Sequence, residues 1–83
     1  MITPDWLKKE YIKVTLDARP LLARGIHPLE QVQQECAALQ PGEIFEIITP
    51  FPPAPMVEKM MAAGFETHSG TGSDKMFHTY FRK

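Results

Sequence analysis

Eight prolines in eighty-three residues constrain this chain more than any other feature. Each one removes a backbone donor and holds φ near about −65°, so their positions decide where regular structure can run. Pro28 suits the first position of a helix, where a missing N–H costs nothing, and Glu30 then sits at the positive end of the helix dipole. Leu29, Val32, Cys36 and Leu39 recur at helical spacing on one face, and Gln40-Pro41-Gly42 ends the run. The segment Pro50-Phe51-Pro52-Pro53-Ala54-Pro55 is too stiff for a helix interior or a central strand.

The stretches between these marks read in order. Thr3 as cap, Pro4 behind it and Asp5 predict a short helical turn within an N-terminal extension over residues 1–10, anchored by Trp6 and Leu7. Residues 11–17 alternate, with Ile12, Val14 and Leu16 on one side and Lys13 and Thr15 on the other, which is the pattern of a half-buried strand. Arg19-Pro20 and Gly25 then predict a loop leading to the helix that opens on Pro28. Residues 43–49 read as an interior strand, apolar on both sides except at Glu46. A second helix follows from about residue 55 to 63, with Val57, Met60 and Met61 as its buried stripe, Met56 as further core filling, and Gly64 at its end. Residues 65–69 and 76–81 predict a hairpin around a loose loop at 70–75. A symmetric register sets Phe65 opposite Phe81, Thr67 opposite Thr79 and Ser69 opposite Phe77, with His68 opposite His78 and Glu66 opposite Tyr80 on the other face.

These elements predict one α+β domain over residues 1–83. It is a two-layer α/β sandwich, β-α-β-α-β-β, with a four-stranded mixed sheet and two helices on one face. The strand–helix–strand unit makes a right-handed parallel crossover. A domain this small buries about 60–65% of its unfolded surface, so self-association would help it, and a monomer or weak homodimer is expected. Net charge is −1 with Lys and Arg scattered, which argues against a nucleic-acid or anionic-membrane binder. No apolar run approaches the roughly 20 residues of a membrane-spanning helix, and no signal peptide is read. The single Cys36 rules out an internal disulfide and fits a reducing, cytoplasmic setting.

Several of these residues together resemble a known family. Leu16-Asp17-Ala18-Arg19, a helix opening on His27-Pro28, and Gln40-Pro41-Gly42-Glu43 resemble the TusA/SirA-like sulfur-carrier superfamily. The closer likeness is to a bacterial branch in which Asp-x-Arg-Pro-x-Leu-x-x-Gly, His-Pro or Asp-Pro, Pro-Gly-Glu, Pro-Phe-x-Pro-x-Pro and Gly-Phe follow in this order. Here they run from Asp17 to Gly25, at His27-Pro28, from Pro41 to Glu43, from Pro50 to Pro55, and at Gly64-Phe65. The resemblance implies the β-α-β-α-β-β sandwich. Sulfur carriers of this kind place a Cys-Pro-x-Pro signature where the first helix begins, so that the helix terminus lowers the thiol pKa. In this chain His27 stands in the cysteine's place and Glu30 in that of the second proline. The resemblance therefore implies the scaffold without its usual nucleophile. Cys36 lies about two turns on, along the apolar stripe, where it is expected to be buried and inert.

The candidate site gathers at the C-terminal ends of the parallel strands, where α/β sheets tend to place ligands. His27 at a helix N-terminus either binds an anion, a metal or a proton, or simply caps the helix. Asp17 and Arg19 either clamp a ligand beside His27 or hold their own loop in shape. Phe51 in its proline cage either docks a partner or plugs the core near Leu21, Leu22 and Ile26. His68 and His78, with His27 as a possible third, are the weak metal candidates. The functional expectation is a non-enzymatic binding or adaptor module working through Asp17, Arg19, His27, Pro28, Glu30 and Phe51. It would need no cofactor and would take a protein partner or a small anionic ligand. A sulfur-relay or redox accessory using Cys36, and a histidine-based metal or haem binder, are the alternatives.

Overall fold

A computed structural model describes residues 3–83. Among the described residues a 3₁₀ turn at Lys9–Tyr11 is followed by seven strands and α-helices: β1 (Ile12–Asp17), α1 (Arg19–Ala23), α2 (Leu29–Ala37), β2 (Ile44–Thr49), α3 (Ala54–Ala62), β3 (Glu66–Thr71) and β4 (Phe77–Arg82). The four strands form one sheet in the order β1-β2-β4-β3, parallel between β1 and β2 and antiparallel elsewhere. Helices cover one face, giving the α+β sandwich.

The expected loop after β1 holds a short helix. Arg19-Pro20 starts it rather than breaking it, since a proline in the first turn has no partner to lose. Leu22 N–H closes on the Ala18 carbonyl at 2.9 Å, and Gly25 at φ 77° ends the turn so that Ile26 N–H reaches back to the Leu21 carbonyl at 2.9 Å. Pro28 sits one place earlier than expected, as the cap of α2, with its carbonyl accepting from Val32 N–H at 2.9 Å.

The core lies between the sheet and the helices. Val32, Cys36 and Leu39 face Phe45 and Ile47 of β2 and Phe81 of β4, and Met56 and Met60 of α3 close it. Phe45 and Phe81 are directly cross-strand and fully buried; each contributes about 1.5–3 kcal/mol by leaving water. Two threonines share this interior with their hydroxyls satisfied: Thr49 donates to the Phe51 carbonyl at 2.6 Å, and Thr79 shares a hydrogen bond with Ser69 at 3.1 Å. Met61 is corrected. It is 58% exposed, while Met56 takes the buried place beside Met60. Helical periodicity alone does not decide which of Met56 and Met61 joins Met60 in the core.

Three further expectations shift. A bulge between Ile12 and Val14 sets Ile12 against Ile44 and Val14 against Phe45, so Ile12 leaves the helix-covered face that Val14 and Leu16 keep. The hairpin turn is tighter than expected, because Gly70 and Thr71 belong to the ladder. Thr67 therefore pairs with Phe81, Ser69 with Thr79, His68 with Tyr80, and Gly70 with His78. The slip is two residues, so every side chain keeps its expected face. The N-terminal extension also differs: 4–7 is a single turn closed by Leu7 N–H to the Pro4 carbonyl at 3.1 Å, and its helical turn is a 3₁₀ at Lys9–Tyr11. This segment lies over the sheet face away from the helices, where Thr3 and Leu7 border a cavity of about 470 Å³ with Glu46, His78 and Tyr80.

Candidate functional site

The edge singled out by the prolines carries a concave site. Between α1, the start of α2 and the 50–55 segment lies a cavity of about 310 Å³, lined by Leu22, His27, Pro28, Leu29, Phe51, Pro53, Pro55 and Met56. The surface is almost wholly apolar. Three of the wall residues are prolines, which have no rotamer freedom to lose, so the shape is set before anything binds. Phe51 is 49% exposed and stands at the mouth, and Ile26 nearby is 44% exposed. The Thr49 hydroxyl, tied to the Phe51 carbonyl, holds that mouth in place.

The expected site residues divide. His27, Pro28 and Phe51 meet at this cavity, with Pro28 buried and His27 exposed at the rim. Asp17 and Arg19 do not line it. Arg19 Nε lies 2.9 Å from Asp17 Oδ1 and its main-chain N–H 3.1 Å from the same oxygen, so the pair closes on itself and holds the β1–α1 junction. Hydrogen bonds from the Arg19 side chain and backbone lower the Asp17 carboxyl to about 2. Glu30 is exposed in the first turn of α2 and does not reach the cavity.

Cys36 is fully buried in the core. Desolvation, with Glu35 as a lesser cause, pushes its thiol up to about 12, so it is protonated and shielded at neutral pH. His68 and His78 are on one face but not opposite each other. His68 stacks on Tyr80 with ring centroids 6.4 Å apart. Among the described residues no three His, Cys, Asp or Glu side chains gather as a metal ion would need.

A second cluster went unforeseen on the opposite face. His78 Nδ1 lies 2.7 Å from Glu46 Oε2, and its Nε2 lies 3.1 and 3.2 Å from the two oxygens of Asp74. The Thr15 hydroxyl donates to the other Glu46 oxygen at 3.1 Å. Both ring nitrogens face carboxylates, so the doubly protonated imidazolium is the form that can donate to both. Glu46 first, then Asp74, raise the His78 pKa above 6.5 against the opposing effect of burial. The signal for this cluster was present as the one charge in an otherwise apolar interior strand. A half-buried Glu46 needs a donor, and β4 supplies it.

The chain matches no protein-family model, no curated protein and no solved structure.

Proposed function

We infer that this chain is a small cytoplasmic binding module of the TusA-like kind, non-enzymatic, which receives an apolar side chain of a protein partner in the cavity beside Phe51. The observation that carries this reading is the cavity itself: about 310 Å³, apolar, walled by Pro28, Pro53 and Pro55, and flanked by a half-exposed phenylalanine. Interfaces concentrate their energy in such pockets, where an aromatic or aliphatic anchor is fully desolvated. A small anionic ligand is less well served, because Arg19 is paired with Asp17 away from the cavity and no Lys or Arg lines it. The sulfur-relay alternative has no thiolate to offer, since Cys36 is buried and its thiol is held protonated. The histidine-based metal alternative has no convergent ligand set among the described residues.

The test is affinity capture followed by quantitative binding with Phe51→Ala. A partner that uses the cavity loses at least about tenfold in affinity with this variant and retains it with Glu30→Gln, which lies off the cavity. A partner that binds Phe51→Ala as well as the wild type sinks the reading. So does a sulfur atom transferred to native Cys36.

A further inference from the structure

The sheet has two edges, and the chain treats them differently. At β1 the ladder is interrupted by the bulge between Ile12 and Val14, with Lys13 inside it, and bulges and lysines are devices that blunt an edge. The β3 edge has neither. Its six residues pair with β4 without a break, and Glu-Thr-His-Ser-Gly-Thr contains no proline and no lysine.

Ladder alternation shows which main-chain groups of β3 are free. Gly72 N–H bonds to the Met76 carbonyl at 3.0 Å, and Lys83 N–H bonds to the Glu43 carbonyl at 3.2 Å. Hydrogen-bonded pairs recur at every second residue of an antiparallel ladder. From these two anchors, Phe77, Thr79 and Phe81 bond toward β2, while His78, Tyr80 and Arg82 bond toward β3. Their partners Gly70, His68 and Glu66 turn N–H and C=O inward. Thr67, Ser69 and Thr71 turn theirs outward, and among the described residues no other main-chain group takes them.

These outward residues read the same in both directions about Ser69: Thr, Ser, Thr, two positions apart. We propose that the β3 edge is a homodimer interface, two copies pairing antiparallel on a two-fold axis through Ser69. This surface adjoins the 50–55 segment, since Pro52 and Pro53 border a shallow cavity with Ser69, Gly70 and Thr71, but the pairing does not depend on the function of the cavity beside Phe51. In this register Thr67 faces Thr71 of the second copy and Ser69 faces its own counterpart, giving about six main-chain hydrogen bonds. Any shifted register leaves an outward residue unmatched. His68 falls opposite Gly70 of the second copy, a close pair in which the glycine leaves room for the ring. Glu66 faces the second copy's hairpin turn, where Asp74 and Lys75 offset each other, and its own carboxylate is already paired with Arg82 at 2.6 Å, so charge does not oppose the pairing at its ends. Side chains along the edge are small and little apolar area is covered, so the dimer is weak and grows with concentration.

The test is sedimentation velocity on the whole chain over a wide concentration range up to its solubility limit, with four variants. The wild type moves reversibly from monomer toward dimer. Ser69→Pro removes the outward N–H together with the hydroxyl contact to Thr79, and stays monomeric throughout; Ser69→Ala, which loses only the hydroxyl, still dimerises. Ser69→Cys forms an intermolecular disulfide on mild oxidation, because facing Cα atoms of a hydrogen-bonded pair lie about 5.5 Å apart, within the roughly 4.4–6.8 Å that disulfides span. Thr71→Cys does not, since its two copies stand four positions apart along the strand. A wild type that is monomeric at every concentration overturns the proposal. So does a dimer that persists in Ser69→Pro, or one in which Ser69→Cys crosslinks no faster than Thr71→Cys. Should Ser69→Pro fail to fold, the two cysteine variants decide the matter alone.

Discussion

Replacing His78 by alanine isolates the Glu46–His78 pair. In the wild type the Glu46 and His78 side chains are 13% and 19% exposed, so the 2.7 Å contact is shielded from water on both sides. Truncation leaves a shielded carboxylate with the Thr15 hydroxyl at 3.1 Å and the cross-strand Tyr80 hydroxyl as weaker neutral donors. A hydrogen bond to a charged group contributes about 1.5–3 kcal/mol, and a loss near about 2 kcal/mol is expected. For a domain of this size that corresponds to a melting point lower by roughly 8–16 °C. The pH dependence gives the mechanism its own signature. The His78 pKa is raised above 6.5 in the folded chain, so its contribution is complete below that value and is lost as pH rises through the folded pKa. Thermal melts of wild type and His78→Ala across that window should therefore converge as pH increases. A variant that melts less than about 4 °C below the wild type at slightly acid pH, or a gap that does not narrow with pH, refutes the reasoning.

Other expectations follow from the same contacts. In Gly72→Ala the added Cβ would stand 2.7 Å from His78 Nε2 and 2.8 Å from Asp74 Oδ1; the ring and the exposed Asp74 carboxylate are forced apart, and the His78 pKa measured by proton NMR drops toward 6.5 without unfolding. Met60→Ala, at a side chain 1% exposed, costs about 2–5 kcal/mol in urea denaturation, while Met61→Ala stays within about 0.5 kcal/mol, and equal effects would place α3 at a different rotation. Native Cys36 reacts with a thiol reagent only as fast as the chain opens, so labelling accelerates with denaturant; rapid labelling in buffer contradicts its burial.

Much of this architecture was legible in the residues. The stripe of Val32 and Cys36, the strand at 44–49 and the αL glycines at 42 and 64 follow from local periodicity and backbone sterics, which act over a few residues, although α2 stops at Ala37 and the buried Leu39 lies beyond it. The cavity edge was legible for the same reason, because prolines fix the chain at His27-Pro28 and again at 50–55. What escaped depended on partners distant in sequence. The pairing of Glu46 with His78 exists because β2 and β4 are neighbours, and nothing local to either strand says so. Gly70 looked like loop but pairs in the ladder, since a glycine in a strand is penalised rather than forbidden, and this moved the hairpin register by two. Arg19 and Asp17 illustrate a different ambiguity: two charges near a site satisfy each other as readily as they hold a ligand.

Glu46 also matters when the fold is absent. Ile-Phe-Glu-Ile-Ile-Thr is a six-residue run of β-forming residues whose only charge is that carboxylate. Short segments of this composition stack into cross-β fibrils when they meet in unfolded or nascent chains, and a charge within them obstructs the stacking. In the open chain His78 no longer sits against Glu46, so its negative charge is free to repel a second copy of the same strand. A substitution such as Glu46→Leu would remove the need for a donor in the folded sheet, yet it would leave an uninterrupted apolar segment exposed during synthesis. The residue that complicates the interior of the sheet is thus also the one charge that opposes strand stacking before the sheet exists.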